Sequence, residues 1–480
     1  MKIIENNKIS ISNVGIFGCG KMGSNLALNI SSNSFIVSVY DCNKEAVNMT
    51  VSHSKDECKN IINGFYNVES FVNSLIRPRC IIILVIAGKL VDDILCCLKQ
   101  YLDENDIIID GGNEWWKNSV RREQKLKDIN VHYMDMGISG GEQGARNGAS
   151  IMLGGNINAY KIVEPILIKM TAKSKLGSCV KHLGPIGSGN YVKMVHNGIE
   201  YANMQLIAEI YDILKIIGKF TNEELAKIFE EWNNTDELNS YLIQITSIIF
   251  NTPDNLFPSR KLIDYILDKA DMKGTGCWTI QEAAERSCPV PTLAAALDAR
   301  YFAANKDERI IGKVLKGPNY IKVNNSDLLN LAKNALYFCT ICVYSQGFAL
   351  IKKASEEFSW QISLAECARI WTGGCIIRSS LLFKIYDAFQ KNPDLPNLML
   401  DEVFITELNN NNNYLRELIL IYIINGVPCS ALSASLNYYD TYRQEYLPAN
   451  LIQAQRDFFG GHTYKRIDIP GNFHTKWSNI

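Results

Sequence analysis

Over its first third the chain alternates between short apolar runs and stretches of helical period. Residues 10–17 read as a buried strand, and so do 35–40, 79–85, 106–110 and 131–136. Runs of this length, rich in Ile and Val and bounded by turn residues, suit strands covered on both faces. Helical stretches at 24–30 and 91–102 lie between them, and 148–155 closes the sheet region. Strands alternating with helices predict a parallel sheet.

From residue 190 the strand signals stop and long helical runs take over, at 190–218, 222–232, 236–250, 328–358 and 364–388. A faint repetition runs through them. Gln205-Leu206-Ile207 is followed by Trp232 and Ser240-Tyr241-Leu242, and Gln346-Gly347-Phe348 by Trp371 and Ser379-Ser380-Leu381. The asparagine run 409–413 reads as a surface loop, and Gly426-Val427-Pro428 opens the last helical stretch. The predicted architecture is an α/β Rossmann domain, then a large all-α domain of duplicated helical halves, then a C-terminal tail. Boundaries are placed at 1–186, 187–445 and 446–480. The tail has little of its own to bury and is expected to dock on a neighbouring subunit.

Composition narrows the class. The chain has 480 residues, 47% hydrophobic and 21% charged, with a net charge of −1. That is ordinary globular composition, without the basic excess of a nucleic-acid surface or a polybasic membrane anchor. The start lacks the apolar core of a secretory signal, so the cytoplasm is the expected compartment. The 14 cysteines show no framework spacing and read as reduced thiols. Cys339 and Cys342 form a CxxC inside an apolar helical run, which points to packing rather than to redox or zinc chemistry.

Two motifs carry chemistry. Gly18-Cys19-Gly20-Lys21-Met22-Gly23 follows a strand and opens a helix, and the next strand ends at Asp41. This is the dinucleotide-binding context. The glycines allow a tight turn, close approach of a pyrophosphate and close helix packing, and an acid at Asp41 suits ribose hydroxyls. An Asx turn after the strand is the alternative for Asp41, and the ribose role is the favoured reading. The second motif is the run Lys193, His196, Asn197 and Glu200, which share one face of a helix at i, i+3, i+4, i+7. Its pattern alone fits a catalytic stripe or a solvated polar face equally well. Gly184-Pro185, Gly187 and Gly189 just before it suit the hinge of an interdomain cleft.

Six motifs, the helical stripe among them, make the chain resemble 6-phosphogluconate dehydrogenases of the decarboxylating kind. They are Asp110-Gly111-Gly112-Asn113, Ser139-Gly140-Gly141-Glu142, the run from Lys193 to Tyr201, Lys273-Gly274-Thr275-Gly276, Gly373-Gly374-Cys375-Ile376-Ile377-Arg378 and the run from Ala449 to Asp457. The resemblance spans nearly the whole chain. It implies oxidation of 6-phosphogluconate to ribulose 5-phosphate and carbon dioxide in the oxidative pentose phosphate pathway, without a metal, in a homodimer whose tail completes the partner's site. It implies Lys193 as general base and acid, and Glu200 as general acid. Asn113, Ser139, Gly140, Gly141, His196 and Asn197 would hold the carboxylate and hydroxyls. Tyr201, Lys273, Thr275 and Arg300 would hold the phosphate, together with Arg456 and His462 of the other chain. Gly18, Gly20, Lys21, Met22, Gly23, Asp41, Cys42, Asn43, Val85, Ala87 and Asn113 would line the cofactor, NADP or NAD.

Departures from that pattern sharpen the expectation. Asp41-Cys42-Asn43 stands where most members have Asn-Arg-Thr, so the guanidinium for the 2′-phosphate is gone and a carboxylate has arrived. NAD is therefore expected to serve at least as well as NADP. Ile86, Cys277 and Thr372 each replace a usual cation. A β-hydroxyacid dehydrogenase of smaller substrate would share the glycine turn and the Lys-x-x-x-Asn pair but lack the phosphate cluster. A decayed dinucleotide-binding regulator would not be expected to keep Lys193, Asn197, Glu200 and Ser139.

Overall fold

The computed structural model describes residues 11–57, 62–270, 274–321 and 323–477. Among the described residues ten strands are formed: β1 Val14–Phe17, β2 Val37–Tyr40, β3 Asn63–Phe65, β4 Cys80–Ile83, β5 Ile107–Asp110, β6 His132–Ser139, β7 Ser150–Gly154, β8 Lys173–Ser174, β9 Gly177–Ser178 and β10 Val180–Gly184. Eight make one sheet in the order β10-β7-β6-β5-β4-β1-β2-β3, while β8 and β9 form a separate ribbon. Every neighbouring pair in the sheet is parallel except β6 with β7. The central strands β1, β4 and β5 are buried at every residue, because helices cover both faces and no alternation of polar residues is needed.

Strand bounds differ from the sequence reading in instructive ways. The expected strand 10–17 is ordered as a strand only from Val14, and residue 10 lies outside the described residues. The expected strand 131–136 instead runs on to Ser139, because its antiparallel partner β7 extends the ladder through Ser139↔Ser150. That extension carries the serine of the glycine loop on a rigid strand end.

The second part is helical. Helices Ser188–Ile216 and Asn325–Glu357 pack along each other, and Glu402–Asn425 lies against the second. Most side chains of Asn325–Glu357 are buried, including Cys339 and Cys342. The repeated sequence pattern has a spatial counterpart. Ser240 and Ser379 pair in an antiparallel bridge, with Tyr241 N–H donating to Arg378 O and Ser380 N–H to Asn239 O, a locally two-fold arrangement.

Two helical expectations are corrected. The run 364–388 is not one helix but two, Leu364–Trp371 and Leu381–Lys391. Gly373-Gly374 breaks it: Gly374 has φ +67, and a Cβ there would lie 2.6 Å from Ala172 Cβ. The asparagine run 409–413 is not a loop but the middle of helix Glu402–Asn425. Phe404, Leu408, Leu415, Leu418 and Tyr422 keep helical spacing on either side and are buried. Tertiary burial of that stripe outweighs the weak helix propensity of asparagine.

The tail also carries a helix, Ala449–Gly460, followed by a bridge between Tyr464 and Phe473. Asp457 ties the two together. Its carboxylate accepts from Thr463 N–H, Thr475 N–H and Trp477 Nε1–H, and contacts His474 Nδ1 at 2.9 Å. Leu451, Ile452, Phe458, Phe459 and Ile467 of this unit stand exposed.

Candidate functional site

The glycine turn is built by close approach. A Cβ at Gly18, where φ is +109, would lie 2.4 Å from Leu84 O, and one at Gly23 would lie 1.8 Å from Gly18 O. Gly20 caps helix Lys21–Ser32 and faces open space. The turn therefore presents bare backbone N–H groups at a helix N-terminus, a cradle for an anionic phosphate. Met22 packs against the sheet core, and Lys21 pairs with Glu142 at 3.2 Å on the surface.

Asp41 is committed to backbone donors. Its Oδ2 accepts from Cys19 N–H at 2.7 Å and its Oδ1 from Asn43 N–H at 2.8 Å, so the Asx turn forms. Cys42 and Asn43 are exposed beside it, with Asn43 Oδ1 accepting from Glu45 N–H at 3.0 Å. Beside the turn, Val85 and Ala87 are half-buried, and Asn113 is exposed. Ile86, which stands in place of a usual cation, is 82% exposed.

A buried network fixes these loops, and the sequence reading missed it. Arg122 is fully enclosed and reaches Glu114 Oε2 at 2.6 Å, Asp92 Oδ2 at 3.1 Å and Asp110 Oδ2 at 3.3 Å, and donates to Gly88 O at 2.7 Å. Glu114 Oε2 also accepts from Gly88 N–H at 2.8 Å, and Asp110 Oδ1 from Gly112 N–H at 3.0 Å. The segments on either side, 85–88 and 110–114, are thereby held at one spacing. An arginine in a polar helical stretch gave no hint of this.

The stripe on Ser188–Ile216 faces inward. Lys193 is 6% exposed, His196 and Asn197 are buried, and Glu200 is half-buried. Burial pulls the Lys193 amine below its ordinary value of 10.5, and Glu200 and Cys375 oppose it. Burial pushes Glu200 above 4.5, while Lys193 and Arg300 pull it back. Burial, with Lys193 adding, holds His196 well below 6.5, so the imidazole is neutral at neutral pH. Ser139 Oγ and His196 Nε2 lie 3.0 Å apart, and Ile376 N–H donates to Ser139 Oγ at 3.4 Å. His196 Nδ1 is 3.8 Å from Glu200 Oε2. Gly140, with φ +120, lets the loop pass Gly374 O, which a Cβ would approach to 2.4 Å. Gly141, with φ +60, faces open space.

The anion-binding candidates are partly assembled. Asn197 Nδ2–H donates to the Thr275 hydroxyl at 3.2 Å, and Thr275 is buried at the start of helix Thr275–Glu285. The Arg300 guanidinium lies 4.5 Å from the Tyr201 ring centroid. Lys273 lies outside the described residues. Arg456 and His462 are exposed on the tail, where Arg456 bonds to Gln453 and His462 lies over Phe459. Cys277 is exposed, and the Thr372 hydroxyl bonds to Arg369 O at 2.6 Å and Ser174 Oγ at 2.8 Å.

A glycine turn at a helix N-terminus, together with a buried lysine pulled down and a glutamate pushed up on one helix, suits a dinucleotide-dependent oxidoreductase acting on a hydroxy acid. Comparison with known proteins narrows the class. Residues 13–184 match the model of the NAD binding domain of 6-phosphogluconate dehydrogenase, and 189–477 match that of its C-terminal domain. The chain is 48% identical over 476 residues to a 6-phosphogluconate dehydrogenase, decarboxylating 1, of Oryza sativa, covering 98% of this chain and 99% of the relative. It is 44% identical to the NADP(+)-dependent decarboxylating enzyme of Bacillus subtilis, covering 98% of this chain and 100% of the relative. The solved structure of Plasmodium falciparum 6-phosphogluconate dehydrogenase superposes with a TM-score of 0.92 at 45% identity, covering 97% of this chain and 100% of that one. The chain belongs to the family of decarboxylating 6-phosphogluconate dehydrogenases.

Proposed function

We propose that the protein oxidises 6-phosphogluconate at carbon 3 and decarboxylates it to ribulose 5-phosphate in the oxidative pentose phosphate pathway. One observation carries the mechanism: Lys193 and Glu200 share a face of one buried helix, and burial shifts them toward the uncharged forms that the reaction needs. The nicotinamide supplies the hydride acceptor when bound. Neutral Lys193 takes the 3-hydroxyl proton as hydride leaves carbon 3. As ammonium it then donates a hydrogen bond to the new ketone, drawing electron density from the breaking carbon–carboxylate bond. Carbon dioxide leaves as Lys193 gives its proton to the ketone oxygen, and an enediol remains. Glu200, protonated, delivers its proton to the carbon that lost the carboxylate while Lys193 takes the proton back from the enediol oxygen, restoring the ketone. Ser139, Gly140, Gly141, Asn113, His196 and Asn197 orient the carboxylate and hydroxyls, and Tyr201, Lys273, Thr275 and Arg300 hold the phosphate.

NADP+ is the cofactor in the names of the Bacillus and Plasmodium relatives, and it serves here. NAD+ is proposed to serve at least as well. The Asp41 carboxylate is pinned by two amides and carries negative charge where a 2′-phosphate would sit, and Cys42 offers no guanidinium. The protein is further proposed to work in the cytoplasm as a homodimer. The apolar surface of the tail supports pairing, and Arg456 and His462 would enter the partner's site. A spectrophotometric assay with 6-phosphogluconate and each cofactor in turn tests these readings. Reduction of neither would overturn the activity, and a strong preference for NADP+ would overturn only the cofactor assignment.

A further inference from the structure

Strand β6 and the catalytic helix Ser188–Ile216 meet in register. Alternate residues of a strand share a face, and here Asp135, Gly137 and Ser139 of β6 meet successive turns of the helix. Asp135 Oδ1 accepts from Gly187 N–H at 2.8 Å and its Oδ2 from Asn190 N–H at 2.5 Å. A Cβ at Gly137 would lie 2.4 Å from Lys193 Cβ. Ser139 meets His196 one turn later.

The helix has no cap of its own. Its N-cap is Gly187, with φ +92 and no side chain. In an ordinary capping box two side chains satisfy the N-cap and N3 amides. Here one carboxylate from a different element does both, since Asn190 is the N3 residue. Asp135 is wholly buried, and the approach is tight: a Cβ at Gly154 would lie 2.5 Å from Asp135 Oδ1, and one at Gly189 2.8 Å from Asp135 O. Only a carboxylate accepts at both of its oxygens. An asparagine would turn its NH2 toward one of the two N–H donors.

We propose that Asp135 is a positioning residue for the reaction: by capping the catalytic helix from β6 it fixes the height and rotation of that helix, and so the place of the Lys193 amine. The inference rests on Lys193 being the base. Burial, with Asp110 adding, pushes the Asp135 carboxyl up to about 6, against the pull of its two amides. A buried carboxylate kept at that cost to folding is consistent with a role in holding the site. Lys193 lies one turn beyond Asn190, so loss of the cap would move the amine relative to the substrate groups held by Asn113, Ser139 and Arg300 on other elements. Misplacement on the order of 1 Å costs roughly a hundredfold in rate.

The test is Asp135→Asn in the full-length protein, assayed with 6-phosphogluconate carrying hydrogen or deuterium at carbon 3. The isotope effect does not depend on the fraction of enzyme that is folded, so loss of stability alone would leave it unchanged. The expected result is a kcat lowered about tenfold or more, a raised isotope effect on kcat, and cofactor affinity within about twofold of the parent, that being the scatter of a site left intact. An unchanged isotope effect with kcat per folded site within about twofold would overturn the proposal. If the Asn variant does not fold, Asp135→Ser leaves room for a capping water and is read by the same isotope effect. Lys193→Ala is assayed in parallel. Full turnover there would overturn the base assignment, whereas a silent Asp135→Asn would overturn only the positioning role.

Discussion

The Ser139 hydroxyl stands 3.0 Å from His196 Nε2, and both groups are buried. This contact joins the end of β6 to helix Ser188–Ile216 and orients an imidazole that burial keeps neutral. Ser139→Ala leaves a buried ring nitrogen without this partner, a cost of about 1–3 kcal/mol. The expected outcome is a kcat/KM for 6-phosphogluconate lowered about fivefold or more, as the lower end of that range implies. A smaller loss in steady-state kinetics would show that the contact holds the ring but not the substrate.

The buried pair Lys193 and Glu200 should cost stability. Lys193 is pulled below 10.5 in the folded state, so folding opposes its protonation at every pH below that value. Lys193→Met should therefore raise Tm at neutral pH while abolishing turnover, and its advantage should vanish above pH 10.5. Glu200 is pushed above 4.5, so its penalty grows as pH rises through that value. Glu200→Gln should raise Tm at neutral pH and be neutral below pH 4.5. Thermal melts across pH check both signs, and a lowered Tm in either variant at neutral pH would contradict the burial argument.

Cofactor choice should turn on two adjacent positions. Asp41→Asn removes a negative charge, and Cys42→Arg adds a guanidinium that can grip a phosphate. Together they are expected to shift the ratio of kcat/KM for NADP+ over NAD+ upward by about tenfold or more. Kinetics with both cofactors measure the ratio. No change would place the 2′-position away from Asp41.

The tail assignment predicts complementation. A chain with Lys193→Ala retains Arg456, and a chain with Arg456→Ala retains Lys193. Each homodimer should be impaired, Lys193→Ala fully and Arg456→Ala through a raised KM for the phosphorylated substrate. Refolding the two together should create a mixed dimer with one intact site and recover activity. Failure to recover any, with mixed dimers demonstrated by mass, would mean that the tail serves its own chain.

What the sequence settled by itself was local. The glycine turn, the fully apolar strands and the polar stripe on one helical face depend on short-range sterics and on side-chain period, and these are legible from neighbours along the chain. The asparagine run misled the same reasoning, since its helical state depends on Phe404, Leu408 and Leu415 finding a core to enter. The break at Gly373-Gly374 was likewise decided by a neighbour, Ala172, distant in sequence. Only the tertiary structure could bring Arg122 to Asp110, Glu114 and Asp92, or Asp135 to the bare end of helix Ser188–Ile216. Charges buried between elements have no period along the chain. Their partners are chosen by how the strands and helices pack, and that packing is where a polar stripe on one helix face became a site enclosed enough to shift a lysine and a glutamate in opposite directions.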